Sequence, residues 1–189
     1  MIRPLATTAL CLLALAACSS PQSGTAAPAT TGQSATTKPS TEPVSTRPRE
    51  VDLTGADPCG LMTADQLAEI GETTTPKPGT SPTFKSPNCT FNTTGATWRI
   101  TTVATEGIEA WTSGKRQGQP ADIPPISGFR AITVTVPTDA VACDIAVDVA
   151  AGQYLYAGFE VSKSFAAKFP KPCDGARTVA EAAMKNLTK

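Results

Sequence analysis

Hydrophobic and polar residues alternate in the second half of the chain in a way typical of β-strands. Three runs, FRAITVTV, ACDIAVDVA and QYLYAGFEV, follow one another between residues 129 and 161, with short turn sequences between them. A period of two predicts one buried face, made of Ile132, Val134, Val136, Cys143, Ile145, Val147, Val149, Leu155, Ala157, Phe159 and Val161. These runs predict an antiparallel meander of three strands, preceded by a loop over GQPADIPPISG.

An earlier stretch, CTFNTTGATWRITTVA, alternates around a Thr-Gly turn and predicts a β-hairpin.

Three helices are predicted as well. Thr63 and Gln66 have the spacing of a capping box at the start of the first helix. Ile108 and Trp111 have the spacing of a short second helix. Asp174 is expected to cap the last helix, whose apolar stripe is Val179, Ala180, Ala183 and Leu187.

The order α, β, β, α, β, β, β, α predicts a single α+β domain. We expect an antiparallel sheet of about five strands with the helices packed on one face. The domain is assigned to residues 51–189, a length that can enclose one hydrophobic core.

The N-terminus carries an export signal over residues 1–17. Arg3 provides its positive start, and an apolar run of about 13 residues follows, shorter than the ~20 that a membrane-spanning helix needs. Leu15-Ala16-Ala17-Cys18 resembles the lipobox of bacterial lipoproteins, in which the cysteine is acylated and becomes the first residue of the mature chain. The alternative is an ordinary secretory signal with an incidental cysteine.

Residues 18–50 are rich in Thr, Ser, Pro, Ala and Gly and have no aromatic residue. Such a segment buries too little apolar surface to offset the entropy of ordering it, so we expect a disordered linker behind the acylated Cys18. The domain is then tethered to the outer face of the cell membrane by its acyl chains.

Four cysteines remain in the domain, and an exported chain with widely spaced cysteines favours two disulfides over a metal site. Three pairings are open. Cys59 and Cys173 each precede a predicted helix, whereas Cys89 and Cys143 each open a predicted strand. Pairing the two helix cysteines with each other and the two strand cysteines with each other predicts Cys59–Cys173 and Cys89–Cys143.

The chain has no histidine, so no metal or other cofactor is expected.

Charge and motifs argue against two classes of function. The chain has 16 Lys and Arg against 16 Asp and Glu with no dense basic run, so no nucleic-acid partner is expected. No nucleophile motif is present, and the four-residue spacing of Asp144 and Asp148 is roughly 13 Å along a strand. Paired glycosidase carboxylates are only about 5–9.5 Å apart. We therefore expect no enzyme activity.

Tyr154 and Tyr156 fall on the outward face of the last strand, near Asp144 and Asp148. Exposed aromatic rings among polar neighbours are typical of binding surfaces, so these four residues form the predicted site. The alternative is that the rings pack beneath a loop.

The segments DPCGLMTADQLAEIG, CTF, CDIAVDVAAGQYL and KPCDGARTVAEAAMKNL together resemble an actinobacterial lipoprotein family catalogued as a domain of unknown function, number 3558. The resemblance covers nearly all of residues 51–189 and implies no activity. We expect a noncatalytic, lipid-anchored envelope module that binds an envelope protein or a small apolar ligand. The alternatives are an envelope hydrolase and an accessory part of a transport or sensing complex.

Overall fold

A computed structural model describes residues 47–189. The predicted export signal, Cys18 and the linker up to residue 46 lie outside the described residues. The first described residues already contact the domain: Arg47 pairs with Asp148, and the Val51 amide donates to the Val149 carbonyl. The folded domain therefore includes Arg47, four residues before the predicted boundary at residue 51.

Within residues 47–189, seven antiparallel strands form one sheet in the order β1-β2-β3-β7-β6-β5-β4. The strands are β1 (Lys77–Thr80), β2 (Pro87–Thr93), β3 (Ala96–Val103), β4 (Gln119–Ile126), β5 (Phe129–Thr135), β6 (Ala142–Ala150) and β7 (Gln153–Val161). The predicted hairpin is β2–β3, and the predicted meander is β5–β6–β7. The α+β class with an antiparallel sheet is confirmed.

The two strands beyond the predicted five are β1 and β4, which are the edges of the sheet. Both contain proline: Pro78 in β1, and Pro120, Pro124 and Pro125 in β4. An edge strand tolerates proline because the missing N–H can face away from the partner strand. These strands contain prolines and are mostly exposed, so they show no alternation of buried and exposed positions. The sequence pattern therefore did not predict them.

Three α-helices accompany the sheet: α1 (Ala64–Glu69), α2 (Glu109–Thr112) and α3 (Pro172–Leu187), with 3₁₀ helices at Pro58–Leu61 and Lys163–Lys168. The capping box of α1 is confirmed, because Thr63 Oγ1 accepts from the Gln66 amide and Gln66 Oε1 accepts from the Thr63 amide. The last helix begins at Pro172, before the predicted cap Asp174. Within residues 47–189, no helix has the length and apolar character needed to cross a membrane.

The larger hydrophobic core lies between α3 and one face of the sheet. Its largest members are Phe91, Trp98, Ile100, Leu155, Phe159, Val179 and Met184. The stripe predicted for α3 is buried at Val179, Ala180 and Ala183 and half-buried at Leu187. Burying this one face of a 16-residue helix accounts for its position across the centre of the sheet.

The expectation that all helices pack on one face is wrong. A second core lies on the opposite face, under α2 and a loop at residues 81–86, and contains Phe84, Val103, Ile108, Trp111, Ile132, Val134, Ala146, Tyr154 and Tyr156. Ile132 and Val134 therefore face away from Ile145, and Val136 is exposed. Because Ala131 and Ile132 are both buried, alternation could not decide which residues of β5 face α3.

The predicted disulfide pairing is wrong. The structure joins Cys59 to Cys89 and Cys143 to Cys173, so each bridge links a helical turn to a strand. Cys89 lies on β2 and Cys143 on β6, and β3 and β7 separate these strands. Three strand spacings amount to roughly 14 Å, more than twice the usual Cα separation across a disulfide. Pairing the two strand cysteines would require β2 and β6 to be neighbours. The hairpin and the meander instead meet through β3 and β7.

Candidate functional site

The loop at residues 81–86 covers the middle of the second face. It closes on itself, because the Ser81 amide donates to the Ser86 carbonyl at 2.8 Å and the Lys85 amide donates to the Ser81 carbonyl at 2.8 Å. The turn directs Phe84 onto the sheet, with its ring centroid 4.9 Å from that of Tyr156. A loop of mostly polar residues thus contributes one buried aromatic ring.

The short helix α2 contributes Trp111 beside this loop. Its indole is stacked on Tyr156 with ring centroids 5.5 Å apart and planes at 4°, and it meets the Phe84 ring edge-on at 6.2 Å. Tyr154 lies behind, with its ring 6.0 Å from that of Phe84. The four rings form an aromatic wall across β7.

The prediction that Tyr154 and Tyr156 are exposed is therefore wrong. Their exposed fractions are 0% and 8%. The rings pack beneath a loop and a helix, which is the alternative that alternation left open. Alternation places the tyrosines on the face opposite α3, but it carries no information on what covers that face.

Glu106 fixes the position of α2 and the residues around it. Its buried carboxylate accepts from Arg116 Nε at 2.7 Å and the Tyr154 hydroxyl at 3.0 Å, and it pairs with Lys115 Nζ at 2.9 Å. Burial by itself would raise the pKa of Glu106, but these three donors together lower it. Arg116 also lies over the Phe84 ring, 5.1 Å from its centroid. One carboxylate thus joins the loop that follows α2 to the aromatic wall.

A cavity of about 460 Å³ opens beside the aromatic wall. Phe84, Trp111 and Tyr156 form its apolar side, and Asn88, Arg99, Thr101 and Asp144 form its polar side. A hollow of about 170 Å³ shares Arg99 and Asp144 with it and adds the carboxylates of Asp139 and Glu160. The larger cavity has the volume of a small-molecule site and the usual combination of apolar walls with a few polar groups.

The charged end of the cavity is built across three neighbouring strands. Arg99 on β3 is paired in register with Gly158 on β7, and Gly158 is paired with Asp144 on β6. Because Gly158 has no side chain, the carboxylate of Asp144 can lie over it. A Cβ at this position would collide with Oδ1 of Asp144.

Three polar groups that line this cavity have no hydrogen-bond partner among residues 47–189: the Arg99 guanidinium, the Thr101 hydroxyl and the Trp111 indole N–H. The guanidinium of Arg99 is half-buried, and it donates no hydrogen bond and forms no ion pair in this part of the chain. Thr101 is completely buried, and its Oγ1 has no hydrogen-bond partner. A buried polar group without a partner is costly and uncommon. Of these groups only Arg99 is partly exposed, so it is the one that a bound molecule can satisfy directly.

The electrostatics of Asp144 reflect this position. Burial raises the pKa of Asp144 to about 6, although the Tyr156 hydroxyl directed at it and the charge of Arg99 act in the opposite direction. Asp139 and Glu160 add to the increase. Burial and the neighbouring carboxylate also raise the pKa of Tyr156, so its hydroxyl stays protonated and remains a donor.

The four residues of the predicted binding surface lie in three different surroundings. Tyr156 and Asp144 meet at the cavity, whereas Tyr154 bonds to Glu106. Asp148 lies elsewhere and accepts both contacts from Arg47 Nη1, at 2.7 and 2.8 Å. Charge attraction to Arg47 does not fully offset burial, so the pKa of Asp148 is raised.

Sequence reasoning missed Phe84, Arg99, Thr101 and Trp111 as site residues. Arg99 and Thr101 lie two residues apart on β3 and therefore share one face, which was a usable signal. Nothing local to the sequence places Phe84 above them. The residues described here contain no cluster of three or more side chains suited to binding a metal ion.

One family model matches the chain, over residues 13–186, and its description is protein of unknown function (DUF3558). The match covers most of the chain. The chain belongs to this family. The DUF3558 region spans every strand of the sheet and all of α3 except its last residue, so the sheet and the cavity lie within it. No curated protein matches the chain, and no solved structure matches it.

Proposed function

We propose that this protein is a noncatalytic binding module of the cell envelope that takes up a small amphipathic molecule in the cavity beside the aromatic wall. The observation that carries the proposal is the partly exposed Arg99 guanidinium without a partner, in a cavity of about 460 Å³ bounded by Phe84, Trp111 and Tyr156. A domain that needed only stability would gain by filling this space with an apolar side chain.

The surface of the domain supports a small ligand rather than a protein partner. Among residues 47–189, Val136 is the only large hydrophobic residue that is strongly exposed. Protein-binding surfaces are typically centred on a cluster of apolar anchors. The apolar area offered to a partner lies inside the cavity instead, where a small molecule can reach it.

Dye binding tests the cavity. The probe is N-phenyl-1-naphthylamine, a neutral dye that fluoresces in apolar surroundings, and the protein is residues 18–189 with Cys18→Ser, since acyl chains would themselves take up dye. We expect a saturable rise in fluorescence. Asn88→Trp places a large ring beside Thr101 and should weaken binding at least tenfold.

Thr75→Trp is the matched control, because Thr75 is exposed and does not line the cavity. It should leave dye binding unchanged. Both variants are compared with the parent chain by circular dichroism and melting temperature, so that a loss of binding is separated from a loss of folding. Equal binding by the two variants, or no saturable binding by the parent, would contradict the proposal.

We propose further that acyl chains on Cys18 hold the module on the outer face of the membrane. The lipobox-like Leu15-Ala16-Ala17-Cys18 and the polar segment that follows support this. Several acyl chains give stable anchoring where one alone is marginal. Cys18→Ser is expected to move the protein from the membrane pellet to the soluble fraction with an unchanged melting temperature. Retention in the pellet at the level of the natural chain would argue against acylation.

A further inference from the structure

We infer that the cavity binds a zwitterion, with the anionic group of the ligand on Arg99, its cationic group on Asp144 and an aromatic or apolar body against the ring wall. This inference rests on the proposed function and narrows it to one chemical class. The simplest members of the class are aromatic α-amino acids.

The two charged side chains are placed to bind one head group. Arg99 and Asp144 lie on strands separated only by β7, so their Cα atoms are roughly 10 Å apart at two strand spacings. Gly158 lies between them, in register with both. Because Gly158 has no side chain, no side chain of β7 stands between the two charged groups, and one head group in the cavity could touch both.

Neither charge is satisfied by the other. Within residues 47–189, Arg99 and Asp144 form no ion pair with each other or with any other residue. Elsewhere on this face charges are paired closely, as Glu106 is with Arg116 at 2.7 Å. A guanidinium and a carboxylate that remain unpaired beside a cavity suit a ligand that brings one acceptor and one donor, since charge-assisted hydrogen bonds are the stronger ones.

A ligand with a single charge fits less well. An anion on Arg99 would meet Asp144 and the carboxylates of Asp139 and Glu160, which line the adjoining hollow. A cation on Asp144 would meet Arg99. A zwitterion presents the complementary charge to each group and adds no net charge to the site.

The rest of the cavity specifies the body of the ligand. The stacked Trp111 and Tyr156 and the edge of Phe84 favour a flat apolar group. An aromatic ring with a short zwitterionic tail meets these requirements within about 460 Å³.

Four probes with one ring system test the head group: tryptophan, tryptamine, indole-3-propionate and 3-ethylindole, which are zwitterionic, cationic, anionic and neutral. Their dissociation constants are measured by ¹H–¹⁵N NMR titration of residues 18–189 with Cys18→Ser. Tryptophan is expected to bind at least tenfold more tightly than each of the others, with shifts at Arg99, Thr101 and Gly158.

Two variants remove one charge each. Arg99→Met should weaken tryptophan binding to within about threefold of tryptamine, and Asp144→Asn should weaken it to within about threefold of indole-3-propionate. Arg130→Gln is the matched control, because Arg130 pairs with Asp122 and does not line the cavity. It should leave all four constants unchanged.

The inference is overturned if a singly charged or neutral probe binds as tightly as tryptophan, if neither variant changes the ranking, or if no indole binds while the naphthylamine dye does. In these cases the dye result still supports a cavity that binds apolar molecules. If the dye also fails to bind, the proposed function fails, and the inference about the head group fails with it.

Discussion

Two acidic side chains on the second face of the sheet show how partners decide the state of a buried carboxyl group. Glu106 has three donors, and its pKa is lowered despite burial. Asp144 has the Tyr156 hydroxyl and the more distant charge of Arg99, and burial prevails, so its pKa rises to about 6. Glu106 therefore stabilises the fold as a charged group, whereas Asp144 carries its charge at neutral pH at a cost in stability.

Asp144→Asn should stabilise the domain at neutral pH. Because the pKa of Asp144 is about 6 in the folded state and near 4 when unfolded, the folded protein binds more protons between these values, and stability falls as pH rises through them. The variant removes this loss and should gain about 1–2 kcal/mol at pH 7.5, allowing for partial exposure. Urea unfolding at pH 4 and pH 7.5 measures it. An equal effect at both pH values would contradict the assignment.

Glu106→Gln should destabilise the domain by about 2–4 kcal/mol at pH 7, because Arg116 and Lys115 lose the charge they pair with while Tyr154 keeps an acceptor. The loss should shrink as pH falls through the lowered pKa of Glu106, where the natural side chain is itself protonated. Denaturant unfolding between pH 3 and pH 7 reports both effects. Glu69→Gln, at an exposed position of α1, should change stability by less than about 0.5 kcal/mol.

At the level of helices and strands, the disulfides attach the helical layer to the sheet. Cys59 is in the 3₁₀ helix before α1 and is bonded to β2, whereas Cys173 is in the first turn of α3 and is bonded to β6. Asn186 near the end of α3 donates to the Leu61 carbonyl at 2.9 Å and to Gln66 Oε1 at 2.8 Å. The helical layer is thus joined to β2, to β6 and within itself.

Peptide mapping without reduction should recover Cys59 with Cys89 and Cys143 with Cys173. The double replacement Cys143→Ala and Cys173→Ala should cost about 3–4 kcal/mol, since each bridge closes a loop of 30 residues. Thermal unfolding with and without reductant measures this cost. Recovery of a peptide joining Cys89 to Cys143 would contradict the strand order, because β3 and β7 separate those cysteines.

For the whole domain, the two cores share β3, β5, β6 and β7, which contribute residues to both faces. The cores are therefore expected to unfold together in a single transition. The larger core is sealed by α3, and the smaller one by a short helix and a loop. The cavity is lined in part by the loop at residues 81–86 and by Trp111 of α2, which cover the smaller core.

Replacing both Tyr154 and Tyr156 by Ser should destabilise the whole domain rather than only a binding surface. Phe159→Ala in the larger core should cost about 3–5 kcal/mol, and the tyrosine pair should cost at least as much, because each replacement leaves a cavity. Circular dichroism and tryptophan fluorescence should report one shared melting transition in each case. Val136→Ala, at an exposed residue, is the control and should change little.

A tyrosine variant that melts like the natural chain would mean that these rings are not a core. Two separate transitions would mean that the second face folds independently of the first.

The sequence by itself determined the features that depend on neighbouring residues. Alternation predicted the hairpin and the meander, the Thr63–Gln66 spacing predicted the capping box of α1, and the stripe of α3 predicted three of its six buried residues. These features follow from periodicity and from hydrogen bonds a few residues apart, so a single sequence contains the information. For the candidate site, it placed Asp144 and Tyr156 on the face opposite α3.

Only the tertiary structure decided which distant segments meet. It placed β7 between β3 and β6, which excluded a Cys89–Cys143 bridge, and it brought Phe84 and Trp111 over the two tyrosines. It also set Arg99 and Asp144 on either side of Gly158, although they are 45 positions apart in the chain. The local sequence pattern predicts on which face of a strand a side chain lies. What covers that face depends on strand order and loop closure, which are set by the packing of the whole domain.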